Sequence, residues 1–298
     1  MTFPFYPALI LLAALWGGSF LFMRVAAPVL GPVWLIALRV LIAGLVLLPL
    51  VLRRRQLGLL REYGWRLLWV GFVSAAMPFT LLAYSSLELT AGLTSILNAT
   101  VPIFGVLIGM AVYSEAISLR RLAGVLLGFV GVVVLVGLPQ AGSSAPLLSV
   151  LAGLGAAVSY VFAANFAKRR LSEAPTLVFV TGSQLGAAVF LLPLLPMFPP
   201  PQTPDAWVVA AVLGLAVLST ALAFVIYFQL IREVGPTRTL TVTYLIPVFA
   251  FSWGALLLDE GITLVMLLGG ALVLSGVALA NSRRLVAAPG PASIRPPT

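Results

Sequence analysis

Apolar residues fall into ten long blocks separated by short polar stretches, at approximately 7–27, 32–52, 67–87, 91–113, 121–138, 147–167, 175–197, 207–230, 239–258 and 262–281. Each block is close to the roughly 20 residues that an α-helix needs to cross a bilayer core. The pattern predicts an all-α polytopic membrane protein with ten transmembrane helices. No basic residue precedes the first block, and the chain runs straight on into further spans. That block is therefore read as a helix and not as a cleavable signal. Gly64, Gly142 and the run Pro199, Pro200, Pro201 mark loops.

The basic residues give the spans a direction. Arg53, Arg54, Arg55, Arg61 and Arg66 lie between the second and third blocks, and Arg120 and Arg121 before the fifth. Lys168, Arg169 and Arg170 follow the sixth, Arg232 and Arg238 precede the ninth, and Arg283, Arg284 and Arg295 are in the tail. With ten spans, all of these fall on one face. The opposite loops (28–31, 88–90, 139–146, 198–206 and 259–261) hold no basic residue. Positive loops stay inside, so both termini are expected to be cytoplasmic in a multi-pass protein of the cell (inner) membrane.

A shift of 145 residues lays segment 94–132 on 239–277 without a gap. Thr94 then matches Thr239, Pro102 matches Pro247, Gly109 matches Gly254 and Glu115 matches Glu260. Gly124 with Gly269, Gly131 with Gly276, and Glu88 with Glu233 keep the same register. Matched Pro, Gly and Glu are harder to obtain by chance than matched Leu or Val. The repeat unit holds five spans, and five is odd, so the second copy enters the membrane inverted. Inverted repeats are the architecture of many secondary transporters, with the site near the midplane between the halves. The expected units are 1–140 and 141–284, followed by a disordered cytoplasmic tail, 285–298, rich in Pro and Ala.

At these residues the chain resembles the EamA-type branch of the drug/metabolite transporter (DMT) superfamily, over about residues 8–282. The features are Trp16, Arg39, the stretch from Thr94 to Pro102 with Asn98 inside it, Glu115, and the second-copy pair Pro247 and Glu260. The resemblance implies ten helices in two inverted five-helix repeats, and export or exchange of small metabolites. The seventh span has no arginine to match Arg39, and the first and sixth spans match poorly.

Composition excludes other classes. Hydrophobic residues make up 61% of the 298 and charged ones 8%, against about 25% charged in a soluble domain. Mean hydropathy is +1.15. A soluble enzyme or a disordered chain has no such surface. There is no cysteine and no histidine, so disulfides, thiolate chemistry and the commonest metal ligands are absent. No metal and no cofactor are expected. The net charge of +9 would suggest nucleic acid in a soluble protein, but here it sits in the loops that set topology.

Intramembrane polar groups are costly and each needs a reason. Arg39 lies about 10 Å inside the second span, counting 1.5 Å per residue. It either holds a carboxylate or bonds backbone carbonyls to pin two helices. Arg24, near the outer end of the first span, is expected to snorkel to the interface. Glu115 and Glu260 end matched spans on opposite faces and are expected to cap or latch. Pro102 and Pro247 kink their helices or act as hinges. Gly105 with Gly109, and Gly124 with Gly128, form small faces for close packing. The candidate substrate residues are Trp16, Ser19, Tyr84, Asn98, Tyr160 and Tyr244, which share a layer if their helices surround one cavity as the resemblance implies. Ser95, Asn165, Thr220 and Thr243 are further mid-span polar groups.

These features predict a secondary transporter of small neutral or zwitterionic metabolites such as amino acids, working by alternating access. An anion or phosphometabolite exchanger would need more buried basic residues. A membrane-embedded lipid-modifying enzyme would need a nucleophile, base or metal cluster at one depth. The expected partners are the metabolite, the bilayer and a second copy in a homodimer, with no nucleic acid.

Overall fold

A computed structural model of the chain describes residues 4–114, 117–137 and 147–281. The tail 285–298, Gly142, Glu115 and the junction between the two expected units lie outside the described residues. Among the described residues ten longer helices follow in order. They are α1 (Phe5–Leu30), α2 (Pro32–Arg53), α3 (Gly64–Glu88), α4 (Ala91–Val112) and α5 (Leu119–Gly137), then α6 (Leu147–Arg170), α7 (Thr176–Met197), α8 (Ala206–Val234), α9 (Val242–Leu258) and α10 (Leu264–Ala280). Short helices Leu57–Glu62 and Pro236–Thr239 lie in the loops that carry the basic residues.

Among the described residues, seven helices are long and apolar enough to cross a membrane, and α9 and α10 are shorter apolar helices. Every predicted span has its helix, with ends shifted by a few residues. The ninth is the exception in kind. Thr239, its predicted first residue, ends the short helix Pro236–Thr239, and α9 begins only at Val242.

Helix ends are set by local chemistry. Thr90, Asp205 and Thr263 accept hydrogen bonds from Leu93, Val208 and Met266, and so cap α4, α8 and α10. The helices before the two glutamates end in the same way. Ser114 and Asp259, which match in the 145-residue register, both take a left-handed conformation, at φ 52° and 54°. The third helix of each half also carries a π-helical stretch, Phe72–Ala76 in α3 and Gly214–Leu222 in α8. These overlap in the same register. Such turns leave the ordinary i to i−4 ladder and concentrate at functional sites.

The halves interlock. α1 packs on α8 and α9, and α6 packs on α3 and α4; α2 lies against α7, and α5 against α10. The α5–α10 contact displays the symmetry. A Cβ on Gly124 would come within 2.7 Å of Gly276 O, and one on Gly131 within 2.9 Å of Gly269 O. Gly124 matches Gly269, and Gly131 matches Gly276. Each glycine therefore touches the mate of the other, as a two-fold axis in the membrane plane requires. The expected Gly124–Gly128 face is part of this contact, whereas a Cβ on Gly105 would meet no atom within 4 Å.

Candidate functional site

A cavity of about 400 Å³ lies between α4, α6 and α9. Ser95, Asn98 and Val101 of α4 line it, with Tyr160 and Asn165 of α6, and Leu240, Thr243 and Ile246 around the start of α9. Three of these pairs are repeat mates: Ser95 with Leu240, Asn98 with Thr243, and Val101 with Ile246. The cavity thus straddles the axis that relates the halves. It extends to Leu240 and Asn281 at the basic face, and both residues are exposed there.

The walls are amides, hydroxyls and apolar groups, with no charged side chain. Asn98 Oδ1 is buried and has no hydrogen-bond partner. A break in α4 at Thr100, just before Pro102, separates Ala91–Ala99 from Val101–Tyr113 and holds Asn98 on the last turn of the first piece. Pro247 lies inside α9. Asn281 Nδ2 donates to the Tyr244 hydroxyl at 3.2 Å, which ties Tyr244 to the cavity rim.

The six candidate substrate residues separate. Asn98 and Tyr160 line the cavity, and Tyr244 stands at its rim. Trp16 packs on α8, its ring 5.0 Å from Tyr227 and 6.1 Å from Phe224. Ser19 donates to Trp16 O on its own helix. Tyr84 is half-buried near the outer end of α3 and does not line the cavity. Ser95, Asn165 and Thr243, which the sequence offers only as further mid-span polar groups, join the cavity, and so does Asn281, which the sequence reading does not name. Thr243 could have been found by sliding Asn98 along the repeat.

At the opposite end of the molecule a charged pair joins the two halves. Arg24 Nε lies 3.5 Å from Glu260 Oε1, and Arg24 Nη1 donates to Ser86 O and Leu87 O at 3.0 and 2.6 Å. Glu260 accepts from the Ala91 backbone N–H at 3.0 Å. The arginine therefore satisfies carbonyls at the C-terminus of α3, and the glutamate satisfies the N-terminus of α4. Each charge sits where the helix dipole favours it. Arg24 is thus a cross-half partner and not a free interfacial anchor. Glu260 caps α4 and not the following helix, whose cap is Thr263. Burial raises the Glu260 carboxyl above its ordinary value, against the lowering effects of Ala91 N–H and Arg24.

Arg39 is 4% exposed. Its Nε donates to Thr220 Oγ1 at 2.9 Å, and its Cζ lies 3.6 Å from the centre of the Phe79 ring. It bonds a side chain of the π-helical stretch of α8, neither the carboxylate nor the backbone carbonyls that the two sequence readings offered. A second cleft, of about 300 Å³, opens between Arg54 and Arg232 at the basic face. It is walled by Leu47, Phe224 and Phe228 on the side of α2, α7 and α8. It contains none of the repeat-related polar pairs, so the α4–α6–α9 cavity is the better candidate for a solute.

Comparison with known proteins agrees with this architecture. The EamA-like transporter family matches residues 5–137 and again 147–282. A protein of Escherichia coli (strain K12) named "Probable amino-acid metabolite efflux pump" is 26% identical over 90% of this chain and 91% of its own length. An Archaeoglobus fulgidus protein named "Uncharacterized transporter" is 30% identical over 91% of this chain and 94% of its own. A solved crystal structure with 23% identity superposes with a TM-score of 0.65 over 92% of this chain and 96% of that one, and shows the same fold.

Proposed function

The chain belongs to the EamA-like transporter family, a family of membrane transporters and not of enzymes, and we propose that it exports or exchanges small neutral or zwitterionic metabolites such as amino acids. The observation that carries this reading is the cavity itself. Repeat mates meet across it, its polar groups are uncharged, and Asn98 presents a buried acceptor without a partner. A desolvated acceptor of this kind is costly unless something fills it. The cavity reaches the basic face while Arg24 and Glu260 join the halves at the other. That asymmetry is what one half-cycle of alternating access requires, and the inverted repeat supplies the mirror state. The loop arginines orient the basic face to the cytoplasm, so the cavity faces the cell interior, as an exporter's loading state should. The name of the E. coli relative supports amino-acid metabolites as the first solutes to test.

The experiment is counterflow in proteoliposomes holding the purified protein, with a radiolabelled panel of amino acids and sugar phosphates. Accumulation of amino acids, lost in Asn98→Ala with folding intact, supports the reading. Accumulation of sugar phosphates alone would replace it with the anion exchanger.

A further inference from the structure

Arg39 carries more than a structural role explains. Among the described residues it has no acidic partner, and every Asp and Glu stands at a helix end. Among the described residues its one hydrogen bond is from Nε, and neither terminal nitrogen makes one. A guanidinium is a fixed fork suited to two parallel bonds to a carboxylate. A cation held at this depth with only a hydroxyl and a ring face lacks its counter-charge.

The repeat shows that packing does not demand the charge. In the 145-residue register the mate of Arg39 is Gln184. It is equally buried, at 2% exposed, in α7, the helix that packs against α2. A neutral amide of similar reach serves there. The charge belongs to one half only.

Tyr160 connects Arg39 to the cavity. It lines the cavity, and its ring lies 6.3 Å from the ring of Phe79, over which Arg39 rests. Thr220, which accepts from Arg39 Nε, is held by its own bond to Leu215 O across the π-helical stretch of α8. Arg39 is therefore fixed by Nε, and the rings of Phe79 and Tyr160 lead in turn from its guanidinium to the cavity wall. Asn98, whose buried Oδ1 is an acceptor without a donor, lines the same cavity as Tyr160.

We propose that Arg39 binds the carboxylate of the transported solute, and that the cargo is accordingly restricted to small carboxylic acids bearing a donor group, such as α-amino acids. Rotation of Tyr160 admits the acid group to the terminal nitrogens of Arg39. The ammonium group of the same solute then meets Asn98 Oδ1. The proposal rests on the reading of the α4–α6–α9 cavity as the solute path, and narrows it to one chemical class.

The test compares acids with their amides on purified protein in detergent: L-leucine, L-phenylalanine and L-threonine against leucinamide, phenylalaninamide and threoninamide. Wild-type protein is expected to bind at least one acid about tenfold or more tightly than its amide, as loss of a charge-assisted bond implies. Arg39→Gln, which copies Gln184, should lower acid affinity to the level of the amide and leave the amide unchanged. Arg39→Lys should retain part of the preference. Equal wild-type affinity for acid and amide, or an undiminished preference in folded Arg39→Gln, would overturn the proposal. The wild-type ratio decides the matter even if Arg39→Gln fails to fold. Transport of amides or other non-acids, blocked by Asn98→Ala, would overturn the role of Arg39 while leaving the cavity as the path. Transport that is insensitive to every cavity substitution would remove the path as well.

Discussion

Arg24 and Glu260 meet at 3.5 Å although one belongs to the first helix and the other to the turn before the last. Through Ser86 O, Leu87 O and Ala91 N–H, the pair joins the end of α3 to the beginning of α4. Two ends of the first half are thereby held by a residue of the second. Glu260→Ala removes the acceptor for Ala91 N–H and the oxygen that faces Arg24 Nε. A lost buried partner costs about 1–3 kcal/mol, so the closed-to-open ratio at this end should fall about 5- to 150-fold. A cysteine replacing Ser86, which is buried beneath the pair, should then react faster with an impermeant thiol reagent added from that side. An unchanged rate would show that the pair does not hold the end shut.

The same carboxylate makes closure pH-dependent. Its value in the closed state is raised above 4.5 by burial. The closed end therefore holds a proton more tightly than an open end in which Glu260 meets water. The raised value means that protonation favours closure as pH falls toward 4.5, and that this contribution fades as pH rises through the raised value. Labelling at Ser86→Cys, normalised to the exposed Gln202→Cys at each pH, should slow on acidification. Glu260→Gln keeps an acceptor for Ala91 and should remove the pH dependence, staying at the slow, acid-like rate. Faster labelling in acid would contradict this sign.

The glycine contact between α5 and α10 should carry stability. A Cβ on Gly276 would lie 2.5 Å from Gly128 N and 2.6 Å from Gly124 O, both backbone atoms that cannot turn away. Gly276→Ala should cost about 1–3 kcal/mol through overpacking, read as a lower melting temperature in detergent. Gly105→Ala meets nothing within 4 Å and should be neutral or stabilising by about 0.5–1 kcal/mol, because alanine loses less chain entropy in a helix. A larger loss at Gly105 than at Gly276 would refute the assignment of the packed face.

Orientation is open to a direct check, since the chain has no cysteine of its own. A cysteine at Gln202 should react with an impermeant reagent in whole cells, and one at Gln56 should not. The reverse pattern would turn the molecule over.

Much of the fold was legible because lipid imposes a simple rule: an apolar block of about 20 residues becomes a helix. The repeat was legible because Gly124, Gly131, Pro102 and Glu115 keep their register with Gly269, Gly276, Pro247 and Glu260. The departures have physical causes. Pro236–Thr239 is polar and separates from α9, so the apolar helix starts only at Val242. The π-helical stretches at Phe72–Ala76 and Gly214–Leu222 leave no compositional mark. Trp16 looked like a cavity wall by depth alone, but depth does not reveal which way a helix faces, and its ring packs on Tyr227. Arg24 and Glu260 are 236 positions apart in sequence, so neither predicts the other. Thr243 is one hydroxyl among several until the repeat pairs it with Asn98.

A cysteine at Thr243, inside the cavity, tests the central claim most directly in sealed membrane vesicles of both orientations. In the otherwise native protein it should be labelled from the face that carries Arg53 to Arg55, and a solute that the protein transports should protect it. Adding Glu260→Ala should make the same cysteine reachable from the opposite face. Labelling from both faces without that substitution, or labelling indifferent to every transported solute, would contradict a single cavity that opens to one side at a time.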